Sequence, residues 1–200
     1  GAGPAFAEAR IAANEDVPEA IGFIRTPTRT IDGLINAILK ISREGRRQLK
    51  AERIDVAALM ETAVSTIRHQ IDDNDGEVLV KGNAPAIVSD RLAIEQIVGN
   101  LLDNAIKYRH PSRPARVEIR TEREPTGRIA IEVEDNGRGI AAEDHDRVFE
   151  LFRRSGTQDQ PGEGIGLAHV RIMARNLGGD ITVQSVAGEG TTFRVVLAPD

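Results

Sequence analysis

Residues Asp90 to Tyr108 read as one helix with two stripes, and few folds can use both. Ile94, Ile97, Val98, Leu101, Leu102 and Ala105 recur at helical spacing and form a face to be buried. Beside that face, Asn100, Asn104 and Lys107 stand at i, i+4 and i+7. Surface helices usually fill such positions with Glu, Lys or Arg. Asn is a poor interior helix residue because its amide competes for the backbone. Two Asn and a Lys along an apolar seam suggest a polar ligand. A carboxamide oxygen suits a hard cation, and a lysine suits a phosphate. From this helix alone, a solvated polar face and a ligand site stand even.

The surrounding chain narrows the choice. With 200 residues, 40% of them hydrophobic, it can bury one ample core or one core plus an appendage. A net charge of −5 does not favour nucleic acid as a partner. The absence of cysteine excludes disulfides and thiolate metal sites, and fits a reducing compartment. No apolar run approaches the ~20 residues needed to span a bilayer, so no membrane contact is expected within this chain, and no signal peptide is visible. The opening Gly1-Ala2-Gly3-Pro4 reads as a cloning remnant on part of a longer parent.

The sequence divides into residues 1–50, a helical segment, and residues 51–200, a mixed region. A long helix is expected over about 28–45 on the spacing of Ile31, Leu34, Ile35, Ile38, Leu39 and Ile41. Its apolar stripe has little partner surface within the segment, which predicts self-association. In the second region, Val56 to Gln70 reads as a helix, followed by strands at Glu77–Val80 and Ala86–Val88, then the two-striped helix. Arg116–Thr121 and Arg128–Glu134 alternate with period two. A helix at Leu167–Leu177 precedes a hairpin of Asp180–Ser185 and Thr191–Leu197. Runs of strands and helices with antiparallel pairs predict an α+β fold, a two-layer sandwich rather than a doubly wound sheet.

Three glycine motifs follow the two-striped helix. Asp135-Asn136-Gly137-Arg138-Gly139-Ile140 comes directly after a strand. Its glycines allow close backbone approach, and Asp135 can accept a hydrogen bond from an exocyclic amine. Taken singly, an Asn-Gly turn explains the segment as well. Gly162-Glu163-Gly164-Ile165-Gly166-Leu167 opens a helix, where free amides make an anion site. It is neither a dinucleotide fingerprint nor a P-loop. Between them, Phe149 and Phe152 anchor a stub, and the polar run 155–161 reads as a hinged lid. Gly188-Glu189-Gly190-Thr191-Thr192 forms the last turn.

The order of these motifs resembles the ATP-binding catalytic domain of bacterial sensor histidine kinases, in the wider family shared with DNA gyrase, Hsp90 and MutL. The resemblance runs from about residue 52 to 198. It implies the fold of those ATPases, preceded by a long N-terminal helical segment. It also implies ATP and Mg²⁺ as cofactors, with Asn104 as the metal ligand. Asn100 and Lys107 would flank the phosphates as catalytic groups. Tyr108 and Ile140 would line the nucleotide pocket, and Asp135 would accept the adenine amino group, with Gly137 and Gly139 letting the base approach. Phe152, Gly162, Gly164, Ile165, Gly166 and Leu167 would surround the phosphates, and Thr192 would contact water on the adenine side.

One position separates subfamilies. ATP-hydrolysing members carry a Glu one helical turn before the metal ligand, where it activates water. This chain has Asn100 there, which cannot act as a base, so transfer to a protein side chain is expected over hydrolysis. Gly22 through Arg47 resembles the second helix of a dimerisation and phosphotransfer hairpin, as in phytochrome-like kinases. That implies a homodimer through this helix, a response regulator as protein partner and a cytoplasmic location. The accepting histidine is missing: His69, His110, His145 and His169 are the four histidines, and residues 1–68 hold none. The chain is therefore expected to bind ATP or ADP without phosphorylating itself. Two other readings stand beside this one. The first is a non-catalytic nucleotide-binding module that docks a response regulator or kinase. The second, weaker, is a serine kinase of the anti-sigma-factor type.

Overall fold

Alternation along four strands and three amphipathic helices produces two layers. The computed structural model describes residues 35, 39, 48–72, 76–82, 84–153 and 164–198. The chain divides into two compact units, Gly1–Ser42 and Arg43–Asp200. Of the first, Ile35 and Leu39 are helical and exposed. The rest of the expected 28–45 helix lies outside the described residues, as do the 155–161 run and Gly162.

In the second unit the elements run β1 (Ala51–Ile54), α1 (Val56–Asp72), β2 (Glu77–Gly82), β3 (Ile87–Asp90), α2 (Arg91–Lys107), β4 (Arg116–Arg123) and β5 (Ile129–Asp135). Two short 3₁₀ turns (Ala142–Asp144, Arg147–Phe149) follow, then α3 (Gly166–Asn176), β6 (Asp180–Val186) and β7 (Gly190–Leu197). The main sheet has the order β2-β4-β5-β7-β6. Three of its pairings are antiparallel, as the sequence suggested. β2 and β4 differ: they pair in parallel. The chain between them crosses over through β3 and α2, and such a crossover delivers a parallel neighbour.

One face of the sheet carries Val117, Ile119, Ile129, Ile131, Val133, Phe193, Val195 and Leu197, all buried. The three helices cover it with their own buried stripes: Leu59, Met60, Val64 and Ile67 of α1, Ile94, Ile97, Leu101 and Leu102 of α2, and Val170 and Met173 of α3. The outer face carries charge. Arg194 pairs with Glu122, Glu124 and Glu132, and Arg120 with Glu118, Glu132 and Glu134. Among the described residues, no helix is long and apolar enough to cross a membrane.

Asp90 fixes where α2 begins. It is 2% exposed, and its carboxylate accepts from the Ala93 amide at 2.8 Å and the Lys50 amide at 2.7 Å. The first bond is an N-cap, worth about 1 kcal/mol. The second joins the residue before β1 to the helix start. β1 itself, paired antiparallel with β3, was not expected. Only Ile54 of its four residues is buried, so it has no alternation to read.

Candidate active site

The polar stripe of α2 meets the start of α3. Asn100 donates its amide to the Gln96 carbonyl at 2.7 Å, which sets the carboxamide's direction. A Cβ placed on Gly166 would lie 3.3 Å from Asn100 Oδ1, so the first turn of α3 abuts this stripe. That helix has Ile165 as its N-cap residue, which makes no side-chain cap bond. Its leading amides offer a positive end to an anion. One turn further along α2, Asn104 Nδ2 is buried without a hydrogen-bond partner among the described residues. Buried polar atoms are rarely left so. Lys107 closes the stripe, its ammonium 5.1 Å from the centre of the Tyr108 ring.

Phe152 and Gly164 stand together: the Phe152 amide donates to the Gly164 carbonyl at 2.8 Å. Gly164 has φ of +70°, and a Cβ there would press on the Phe152–Arg153 backbone. Phe152 itself holds φ of 63° with its side chain exposed, a conformation that costs a non-glycine residue roughly 1–2 kcal/mol. Phe149 takes the opposite role. Its ring packs edge-on to Phe193 at 6.4 Å and beneath the Arg171 guanidinium at 5.3 Å, which ties it to the core.

The second half of the site lies at the end of β5. Asp135 accepts from the Gly137 amide at 2.7 Å and from the Thr191 amide. Burial pushes its carboxyl up from 3.8 to about 6, against the pull of those two amides. Glu134 adds to the rise and Arg113 opposes it. The turn that follows rests on the end of α2, where the Arg138 amide donates to the Tyr108 carbonyl at 2.9 Å. Gly139 has φ of +67°, and a Cβ there would fall 1.9 Å from the Val186 carbonyl oxygen; only glycine fits. The Ile140 amide donates to Ser185 Oγ at 2.8 Å, and its side chain packs against the core.

The fold thus brings Tyr108, Asp135, Gly137, Gly139 and Ile140 into one cluster against the β6–β7 turn. It brings Asn100 to Gly166 at the α2–α3 meeting. Thr192 is the exception. It pairs with Glu134, whereas Thr191 pairs with Asp135. Paired residues share a face, so Thr191, buried and bonded to Ser185 Oγ at 2.9 Å, stands on the side of Asp135, and Thr192 points to the charged face. Period-two counting back from Phe193 would have found this. Ser185 was missed for want of any motif. Among the described residues, no group of three or more His, Cys, Asp or Glu could hold a metal ion.

Comparison with known proteins bears on the family and the fold. Residues 89–200 match the model of the family "Histidine kinase-, DNA gyrase B-, and HSP90-like ATPase". The sensor protein RprX of Bacteroides fragilis is 30% identical over 183 residues, covering 88% of this chain and 35% of RprX. The phytochrome-like protein Cph1 of Synechocystis is also 30% identical over 183 residues, covering 91% of this chain and 24% of Cph1. The likeness is thus not confined to phytochrome-like kinases, and the chain spans about a quarter to a third of these relatives. The solved structure of the mycobacterial sensor histidine kinase MprB is 28% identical, with a TM-score of 0.66 over 74% of this chain and all of that one. The buried stripe of α2, the Asp135 turn and the α3 start occupy one fold because the chain belongs to the histidine kinase-, DNA gyrase B- and HSP90-like ATPase family, as a catalytic ATP-binding domain of the histidine-kinase type.

Proposed function

We propose that residues 51–200 bind Mg·ATP and transfer its γ-phosphoryl group to a histidine supplied by a phosphotransfer helix outside this sequence. The observation that carries this reading is the uncapped start of α3 meeting the Asn100–Asn104 stripe of α2, which offers a place for a polyphosphate. Asp135, buried and acceptor-only when ionised, suits the adenine amine at the other end. Asn104 would hold magnesium. Its carboxamide oxygen is a hard donor, and its buried, unpartnered NH₂ could donate to a phosphate oxygen. The bound metal would neutralise phosphate charge. Lys107 would add a point charge there, and Phe152, Gly164, Ile165 and Leu167 would border the phosphates.

Asn100 decides the reaction class. Its amide is committed to the Gln96 carbonyl, and a carboxamide cannot take a proton from water at neutral pH. Positioning and charge neutralisation would carry the transfer, without an activated water. His69, at the end of α1, is exposed, but it lies past any hairpin helix and is not assigned as acceptor. We further infer that residues 1–50 form a dimerisation segment, that the homodimer donates to a response regulator, and that this takes place in the cytoplasm, where ATP is supplied. The exposed Ile35 and Leu39 at i and i+4 support a helix that seeks a partner. The sensor-kinase relatives do not favour the module and serine-kinase readings.

The test is to incubate the chain with Mg·ATP, alone and with a separate histidine-bearing helical hairpin from a sensor kinase. Acid-labile phosphate should appear on the hairpin and not on this chain. Stable phosphohistidine on the chain alone would sink the reading.

A further inference from the structure

Arg113 lies in the connection between α2 and β4, and its side chain reaches both loops of the adenine half. Nε donates to the Asn136 carbonyl at 2.7 Å. Nη2 lies 2.8 Å from each of the Gly137, Gly188 and Glu189 carbonyl oxygens. The first two carbonyls belong to the turn that orients Asp135, and the last two to the β6–β7 turn. A backbone bond also joins the two turns, Gly188 amide to Arg138 carbonyl at 2.7 Å. The Gly137 residue that gives its carbonyl to Arg113 gives its amide to Asp135. A planar fork can serve several carbonyls at fixed angles, and an ammonium on a flexible stem cannot.

We propose that Arg113 is a positioning residue for adenine recognition: its guanidinium locks the 136–137 turn to the 188–189 turn and so fixes the Asp135 carboxylate for the base. The inference rests on the nucleotide reading above. Arg113 also bears on the charge of Asp135, holding that carboxyl down against burial. Glu134 acts in the opposite sense. Glu77, Arg116, Glu118 and Glu189 line the same cavity edge as Asp135.

The experiment uses the full 200-residue chain as wild type, Arg113→Lys and Arg113→Ala. Calorimetry would measure ATP affinity across pH 5 to 8, and inorganic tripolyphosphate would serve as the probe without a base. Thermal unfolding would establish that each variant is folded. Arg113→Ala should weaken ATP by about 10-fold and tripolyphosphate by less than about twofold. It should also move the pH at which ATP binding fails upward. Arg113→Lys should keep the wild-type pH midpoint and recover part of the affinity. The inference is overturned if Arg113→Ala leaves ATP affinity within about twofold of wild type, or weakens ATP and tripolyphosphate by the same factor. Wild-type chain that fails to bind ATP would instead overturn the nucleotide reading itself.

Discussion

Asp135→Asn should make the empty protein more stable and a poorer nucleotide binder, and the two effects have different pH dependences. In the fold the Asp135 carboxyl sits at about 6 against an ordinary 3.8, chiefly through burial. A raised acid means that folding favours the protonated form. That contribution is fully present below pH 3.8 and is lost as pH rises through 6. At about 1.36 kcal/mol for each pH unit between the two values, the ionised group costs the empty fold about 3 kcal/mol at pH 7.5. The same linkage gives about 1.6 kcal/mol at pH 5. Asn mimics the protonated acid and keeps an oxygen for the Gly137 and Thr191 amides. The variant's advantage should therefore be about 3 kcal/mol at pH 7.5 and about half that at pH 5. For a unit of this size that is a rise in Tm of roughly 6–12 °C at the higher pH. Adding ATP should reverse the order. The Asn oxygen stays with the backbone amides and its NH₂ faces the adenine amine, donor against donor, so affinity should fall by about 100-fold. Wild type should gain RT ln(1 + [L]/Kd) from millimolar ATP, and the variant almost none. Scanning fluorimetry at two pH values, with and without Mg·ATP, reads all four quantities. An empty variant that melts below wild type at pH 7.5 would refute the electrostatic argument. A variant stabilised by ATP as much as wild type would refute the placement of the base.

Asn104→Ala should abolish the magnesium-dependent part of ATP affinity in calorimetry, while leaving Tm equal or slightly higher, because a buried NH₂ without a partner is removed. Asp90→Ala strips the Lys50 and Ala93 amides of a buried acceptor and should cost about 2–3 kcal/mol in urea unfolding. Gly139→Ala forces a methyl onto the Val186 carbonyl at an unfavourable φ. It should lower stability by about 2 kcal/mol or more and weaken ATP, whereas the same change at Gly188, where the added Cβ meets nothing and only the φ of +86° is unfavourable, should cost roughly 1–2 kcal/mol. Arg194→Ala breaks ion pairs on the exposed sheet face. Urea unfolding should report a loss of no more than about 1 kcal/mol, shrinking in high salt, with no change in nucleotide binding.

The legible parts of this fold are those where one residue's environment repeats at a fixed period. Ile94 through Ala105 lie at helical spacing because α2 buries one face, and the sequence exposes that face directly. Ile129, Ile131 and Val133 alternate because β5 is covered on one side only. β1 was illegible because its stability comes from the Lys50–Asp90 bond and pairing with β3, both distant in sequence. The parallel β2–β4 pairing was illegible for a related reason: the strand pattern carries no direction, and the crossover sets it. In the site, the stripe and the glycine turns were readable from chemistry at fixed spacing. The side of the sheet on which Thr191 and Thr192 stand follows from strand parity with Phe193, which the glycine motif does not carry. Arg113 had no signal at all. Its role depends on four backbone carbonyls brought to it by two turns, and carbonyls are not written in a sequence.

Several costs of the described fold lie at this site, and a nucleotide would offset them. Asp135 is a buried acceptor whose charge costs the fold about 3 kcal/mol. Asn104 presents a buried donor with nothing to bond. The α3 amides begin without a cap, and Phe152 holds a backbone conformation that only glycine adopts freely. Asp90 and Thr191, polar and buried, have partners, whereas Gln96 Oε1, one turn before Asn100, is a buried acceptor with none among the described residues. At the site the Asp135 acceptor stands at the strand end, and donors stand on α2 at Asn104 and at the start of α3. A ligand that satisfies both must present a hydrogen-bond donor at one end and negative charge at the other. An adenine amine and a polyphosphate meet that description, which is why the costs are better understood as preorganisation than as poor packing.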